Sequence, residues 1–234
     1  MYAWKIAAGH SHSAAIVGHG DLYMWGCNLD HRLMIQNHEN QYLPSLTELS
    51  AIKADESLDV IDVALGVGHS AVVTSKKNFF KTYSSFNLLE NGSVFTGGVG
   101  TDGQLGTFVD EDTENSVIIA RRGSQDPNVQ EDYQDASPNN RDLYERYCFL
   151  YKVKTFGPSN KALKISCGDS YSLVLSERGL YSFGKSSHSR LGHENISTSQ
   201  SLFQPKLIES LRDQKILQIS AGCRHAACLN RNFL

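Results

Sequence analysis

At 234 residues, with 40% hydrophobic and 20% charged side chains, the chain is long enough to bury a core and too apolar to remain disordered. A net charge of −3 gives no general attraction to nucleic acid or anionic membranes, and no apolar run approaches the ~20 residues of a membrane span. The opening Met-Tyr-Ala-Trp-Lys lacks a basic stretch leading into an apolar one, so no secretory signal is read.

In chain order, one unit recurs. Lys5-Ile-Ala-Ala-Gly-His-Ser-His-Ser-Ala-Ala-Ile (5–16) is followed by a turn at Gly20, a strand Leu22-Tyr-Met-Trp, Gly26 and then Leu33-Met34. Asp62-Val-Ala-Leu-Gly-Val-Gly-His-Ser-Ala-Val-Val (62–73) leads to Gly92, Val94-Phe-Thr-Gly, Gly98 and Leu105-Gly106. Lys164-Ile-Ser-Cys-Gly-Asp-Ser-Tyr-Ser-Leu-Val-Leu (164–175) leads to Gly179, Leu180-Tyr-Ser-Phe, Gly184 and Leu191-Gly192. The fourth copy, Gln218-Ile-Ser-Ala-Gly-Cys-Arg-His-Ala-Ala-Cys-Leu (218–229), carries only the first part. The repeat positions are thus Gly9, Gly66, Gly168 and Gly222; His12, His69, Tyr171 and His225; Trp25 and Phe183; and Gly26, Gly98 and Gly184.

Short apolar strands joined by glycine turns predict a small antiparallel unit. One such unit cannot bury its own faces, so neighbours must stack on it. Glycine at fixed offsets suits a positive φ or a close approach between strands. The aromatic before the second glycine is expected to pack between units.

The second copy also spells G-x-G-x-x-G, at Gly98, Gly100 and Gly103. A dinucleotide loop would need a helix directly after these glycines, and Thr107-Phe-Val-Asp-Glu-Asp has no helical apolar spacing. Gly98 belongs to the repeat; Gly100 and Gly103 align with Asn28 and Ser186, and with His31 and Ser189, and are read as accidents of one copy.

Two segments interrupt the units. Residues 75–89, Ser-Lys-Lys-Asn-Phe-Phe-Lys-Thr-Tyr-Ser-Ser-Phe-Asn-Leu-Leu, lengthen the hairpin of copy two. Its Lys76, Lys77, Phe79, Phe80 and Lys81 form either an exposed binding finger, nucleic acid included, or a hairpin packed on its own blade. Residues 107–148 form an acidic insertion: Thr107 to Tyr147 holds ten acids and four bases. It reads as a flexible loop or a partner-binding tail.

At the repeat residues the chain resembles the regulator of chromosome condensation (RCC1) repeat family. The resemblance rests on Gly9-His-Ser-His-Ser13, Trp25-Gly-Cys-Asn28, the intact Gly103-Gln-Leu-Gly106, and Pro44-Ser-Leu and Pro205-Lys-Leu-Ile before apolar positions. Tyr171, Gly97, His31-Arg-Leu-Met34 and Ser189-Arg-Leu-Gly192 depart from the family pattern. The resemblance implies an all-β RCC1-like propeller. Glycine spacings of 57, 102 and 54 (9 to 66, 66 to 168, 168 to 222) allow about three to four blades, hence a partial or open ring. The expected units are approximately 5–58, 59–106, 149–204 and an incomplete 205–234 within one domain, 1–234. Open edges allow closure by other segments or self-association.

Nine histidines raise the question of a metal, but His12, His69 and His225 sit in different copies, so a structural role is expected of them and no metal or cofactor. No G-x-S-x-G, H-E-x-x-H or phosphate-loop motif is present, and no catalytic residue is assigned. The five cysteines, Cys27, Cys148, Cys167, Cys223 and Cys228, form no C-x-x-C and point to buried thiols in an intracellular compartment, nuclear or cytoplasmic. The sequons at Asn91 and Asn195 would matter only in a secreted protein. The expected function is a non-catalytic protein-interaction module. The resemblance implies two others: a guanine-nucleotide exchange factor for a Ran-like small GTPase, and a chromatin-associated propeller.

Overall fold

The computed structural model describes residues 2–35, 39–47, 49, 58–76, 91–107 and 150–231. These form fourteen strands in four antiparallel sheets. The first sheet holds β1 (Ala3–Ala8), β2 (His12–Val17), β3 (Asp21–Gly26) and β4 (Gln41–Leu46). The second holds β5 (Leu58–Leu65), β6 (His69–Lys76), β7 (Ser93–Gly98) and β8 (Tyr151–Val153). The third holds β9 (Ala162–Cys167), β10 (Tyr171–Ser176), β11 (Gly179–Lys185) and β12 (Ser201–Leu207). The fourth is the hairpin of β13 (Ile216–Ala221) and β14 (Ala226–Asn230). Within each sheet the strands lie side by side in chain order, as in the blade of a β-propeller.

Local chemistry explains the strands. Runs such as His69-Ser-Ala-Val-Val-Thr-Ser pack both faces of a central strand and are buried along nearly their whole length. The outermost strands β4 and β12 carry Pro44 and Pro205; proline has no N–H to give a further strand, which confines it to a sheet edge. Every innermost strand bulges by one residue at the same place, skipping Trp4, Ile61, Leu163 and Leu217.

The core is not inside a blade but between blades. Ile16, Leu22, Met24 and Leu33 of the first blade meet Val63, Leu65, Val72 and Phe95 of the second. Val73, Val94, Val153 and Phe156 of the second meet Ile165, Val174 and Phe183 of the third. Leu173, Leu180, Leu191 and Ile208 of the third meet Ile216 and Ile219 of the final hairpin. The two ends are open: Ile6 on the first blade is 75% exposed and Leu229 on the last hairpin 54%. The described residues therefore form an arc of three four-stranded blades and a two-stranded fourth, the open partial propeller that the repeat count anticipated.

Candidate interaction surface

The repeat glycines and histidines build the junctions between blades. A Cβ on Gly9 would lie 2.6 Å from the carbonyl oxygen of Gly66, one on Gly66 equally close to that of Gly168, and one on Gly168 equally close to that of Gly222. Each glycine therefore lets the next blade approach its backbone. The rings of His12, His69 and Tyr171 lie against Gly9, Gly66 and Gly168 of their own turns and reach to the next blade. His12 Nε2 is 2.8 Å from Ser70 Oγ, and His69 Nε2 is 3.0 Å from Ser172 Oγ. The serine hydroxyls donate to the carbonyls of Arg32 and Gln104. A hydroxyl has one proton, so each histidine must donate from Nε2 and leave Nδ1 as the bare nitrogen. Among the described residues neither Nδ1 has a hydrogen-bond partner.

These rings are held neutral. Burial first, and the Arg32 guanidinium second, pull His12 down to about 4. Burial and the neighbouring His12 pull His69 down to about 3. In the third blade Tyr171 takes the histidine's place. Its hydroxyl lies 2.6 Å from the carbonyl oxygen of His225 and 3.0 Å from that of Gly222, and Arg190 sits 5.5 Å from its ring centre. Burial pushes the Tyr171 hydroxyl up to about 12. His225, at the open end, is exposed. Burial likewise raises the Cys167 thiol to about 12, which marks it as an inert core group. Among the described residues no group of three His, Cys, Asp or Glu side chains is placed to hold a metal ion.

A second repeated device shapes the loops after β3, β7 and β11. Gly26, Gly98 and Gly184 have φ of +106°, +103° and +110°, and the next amide bonds back to the carbonyl of Ser11, Gly68 and Ser170. Further on, His31, Gly103 and Ser189 all have positive φ, as do Met34, Gly106 and Gly192. Gly103 is thus no accident of one copy: every loop turns left-handed there, and the other two copies carry that turn on a histidine and a serine. The loops bury Leu33, Leu105 and Leu191, which anchors them to the blades.

Phe183 is fully buried against Gly106 of the preceding blade, where a Cβ would lie 2.7 Å from its ring. Trp25, in the equivalent place on the first blade, is half-buried at the arc's open end. Lys76 is exposed at the end of β6. Lys77, Phe79, Phe80 and Lys81 lie outside the described residues, as do most of the acidic segment and Cys148. Their anchors are informative. The 77–90 segment leaves between β6 and β7, at the end of the blade where the turns 18–20 and 177–178 join equivalent strands. The 108–149 segment leaves between β7 and β8, at the opposite end, with the loops 27–40 and 186–200. The anchors of the two insertions thus lie at opposite ends of one blade.

Some structural residues escaped the sequence reading. Asp62 Oδ1 accepts from Lys5 Nζ of the first blade at 2.7 Å, and its Oδ2 from the Ile165 amide of the third at 2.9 Å, so one carboxylate joins three blades. Arg32 donates to Ser11 Oγ and to the Val67 carbonyl, and pairs with Asp30. The alignment of copies held one signal: Tyr171 is the copy without histidine, and the residue it would address in the next blade is Ala226, not serine.

Radially packed four-stranded antiparallel sheets, joined by repeat glycines and aromatic struts, define the chain as a β-propeller repeat protein. The regulator of chromosome condensation (RCC1) repeat matches residues 19–73 and 179–229, and a second form of the same repeat matches 5–32. The chain belongs to this family. It is 28% identical over 228 residues to the E3 ubiquitin-protein ligase HERC2 of Mus musculus, a match spanning 97% of this chain and 4% of that protein. It is 22% identical over 229 residues to the regulator of chromosome condensation of Homo sapiens, spanning 97% of this chain and 45% of that protein. Among solved structures, Prp20p of Saccharomyces cerevisiae superposes with a TM-score of 0.66 at 15% identity, over 99% of this chain and 44% of that one. The chain thus spans less than half of each of these proteins. Among the described residues no helix is long and apolar enough to cross a membrane.

Proposed function

We propose that the chain is a non-catalytic protein-interaction module whose rigid blades hold binding segments on two opposite faces. The observation that carries this reading is the use made of the buried polar groups. His12, His69, Tyr171, Asp62, Ser70 and Ser172 all serve blade-to-blade contacts, which commits these buried polar groups to the scaffold. The second blade meanwhile sends out a basic-aromatic segment at one end and an acidic one at the other. Preorganised blades present such segments at low ordering cost.

A second reading is guanine-nucleotide exchange on a Ran-like small GTPase. It is favoured by the likeness to Prp20p, whose reported structure concerns binding to Gsp1p and histones. Release of a fluorescent guanine nucleotide from a Ran-like GTPase separates the two. A rate unchanged by stoichiometric chain supports the scaffold, and acceleration installs the exchange factor in its place. A chromatin role through Lys76, Lys77 and Lys81 would appear as salt-dependent DNA binding lost when the three are replaced by alanine. Self-association through the open ends would appear as concentration-dependent mass in sedimentation.

A further inference from the structure

Where the first blade meets the second, the loops carry an apolar patch that the other copies lack. Leu29, in the loop after β3, is 60% exposed, and Val67, in the turn between β5 and β6, is 39% exposed. Val99, just past β7, is half-buried. By repeat position Leu29 corresponds to Thr101 and Ser187, Val67 to His10, Asp169 and Cys223, and Val99 to Cys27 and Lys185. Three positions held elsewhere by polar, charged or thiol side chains are thus aliphatic together at one junction. Contacts link them. A Cβ on Gly68 would lie 3.2 Å from Val99 Cγ2 and 3.8 Å from Asp30 Oδ2. Arg32 donates to the Val67 carbonyl at 2.9 Å and pairs with Asp30, the neighbour of Leu29. Gly68 replaces Ser11, Ser170 and Arg224 of the other copies, and Gly100 replaces Asn28 and Ser186, so neither position puts a side chain over the valines. Both flanking sheets are four-stranded, and Thr101, the counterpart of Leu29 in the second blade, is exposed too. The exposure therefore belongs to the loop position, and the aliphatic side chains there gain by covering each other with a partner's apolar group.

We infer that Leu29, Val67 and Val99 form a docking seat for a segment of a partner protein in which a leucine-sized residue is flanked by lysine or arginine. This rests on the interaction-module reading and names the chemistry of one partner. The apolar residue of the segment packs on the three aliphatic side chains as an anchor. The charge at this end of the blades selects its flanks. Arg32 is buried and already neutralised by Asp30, and Lys185 pairs with Asp102 at 3.4 Å. Asp169 receives only the Cys223 thiol among the described residues. The stretch from Thr107 to Tyr147, which leaves the second blade at the same end, holds ten acids and four bases. Cations flanking the anchor are therefore drawn to the seat, and anions are repelled.

The test uses the 234-residue chain and a fluorescein-labelled peptide, Arg-Lys-Leu-Leu-Lys-Arg, followed by anisotropy. The expected result is saturable binding. Arg-Lys-Ala-Ala-Lys-Arg, which keeps the charge, and Glu-Glu-Leu-Leu-Glu-Glu, which keeps the anchor, should each bind about tenfold more weakly or worse. The chain is altered by Leu29→Ser with Val67→His, the residues found at the equivalent positions 187 and 10. This variant should also lose about tenfold, with hydrogen exchange in β5 and β6 unchanged as the check that the junction is intact. The inference is overturned if no saturable binding is seen, if either control peptide binds equally well, or if the doubly substituted chain binds as the parent does. A mass that rises with concentration, and ceases to do so in the double variant, would make a second copy of the chain the occupant and overturn the inference likewise. Nucleotide release from a Ran-like GTPase is measured on the same two chains. Failure of the peptide with release unchanged sinks the seat alone, whereas accelerated release sinks the module reading beneath it.

Discussion

His12 and His69 are neutral in the fold because each ring is enclosed between blades and offers its only proton to a serine. Both have folded values, about 4 and about 3, below the 6.5 of an unfolded histidine. The unfolded chain therefore binds more protons as pH falls below 6.5, and stability present above that value is lost toward pH 4. Each histidine contributes a slope of about 1.4 kcal/mol per pH unit across this window. Urea midpoints measured from pH 7.5 to 5 should fall with pH, and His69→Gln should make the decline shallower. A pH-independent midpoint would show that the rings take up protons in the fold as readily as in the unfolded chain. Tyr171 and Ala226 supply a sharper residue-scale test. A histidine at 171 would find no hydroxyl at 226, so Tyr171→His alone should cost about 1–3 kcal/mol. Tyr171→His with Ala226→Ser restores the pair used in the other two junctions and should recover part of that loss, a coupling of about 1 kcal/mol in a double-mutant cycle.

At the scale of the elements, the same exchange of knob and hole appears between the first and second blades. Where the second blade has Gly106 to receive Phe183, the first has Met34; where the third has Phe183, the second has Gly97. Met34 is 8% exposed within the apolar cluster that includes Val72 and Phe95, so its side chain supplies volume that an aromatic supplies one junction later. Gly97→Phe alone should overpack this junction by about 1–3 kcal/mol. Met34→Gly alone should leave a void, partly offset by relief of its φ of +57°. The double substitution should be less destabilised than the two losses added, measured by urea unfolding, and strict additivity would refute the exchange. Strands and hairpin turns were legible in the sequence because apolar runs and glycines at fixed offsets are local signals. The outermost strand β8 was not, since its three residues follow a long insertion. Partner residues across blades were legible only as departures from the repeat. Alignment shows which residues are equivalent, whereas a strut joins non-equivalent residues, such as His12 with Ser70 or Lys5 with Asp62. Gly103 was misread for a related reason: left-handed backbone also occurs at His31 and Ser189, and their residue types did not announce it.

Over the whole molecule, stability in such an array is close to a sum of blade terms and nearest-neighbour junction terms. The second and third blades have a junction on each face, whereas the first blade and the last hairpin have one each. The two central blades also share Asp62, which ties Lys5 on one side and the Ile165 amide on the other. Local opening should therefore run inward from the ends. Native-state hydrogen exchange should find the slowest amides in β6, β7 and β10, around Val72, Val94 and Val174, and the fastest strand amides in β13 and β14. Asp62→Ala removes the tie together with the charge that Lys5 faces. It should quicken exchange in β1 and β9 more than in the hairpin β13–β14, with a global cost of about 2 kcal/mol. Protection of equal depth in all four sheets would mean that the arc opens as one unit, and that the junctions are not separate terms. An Asp62→Ala change felt most strongly in β13–β14 would place the tie elsewhere than between the first three blades.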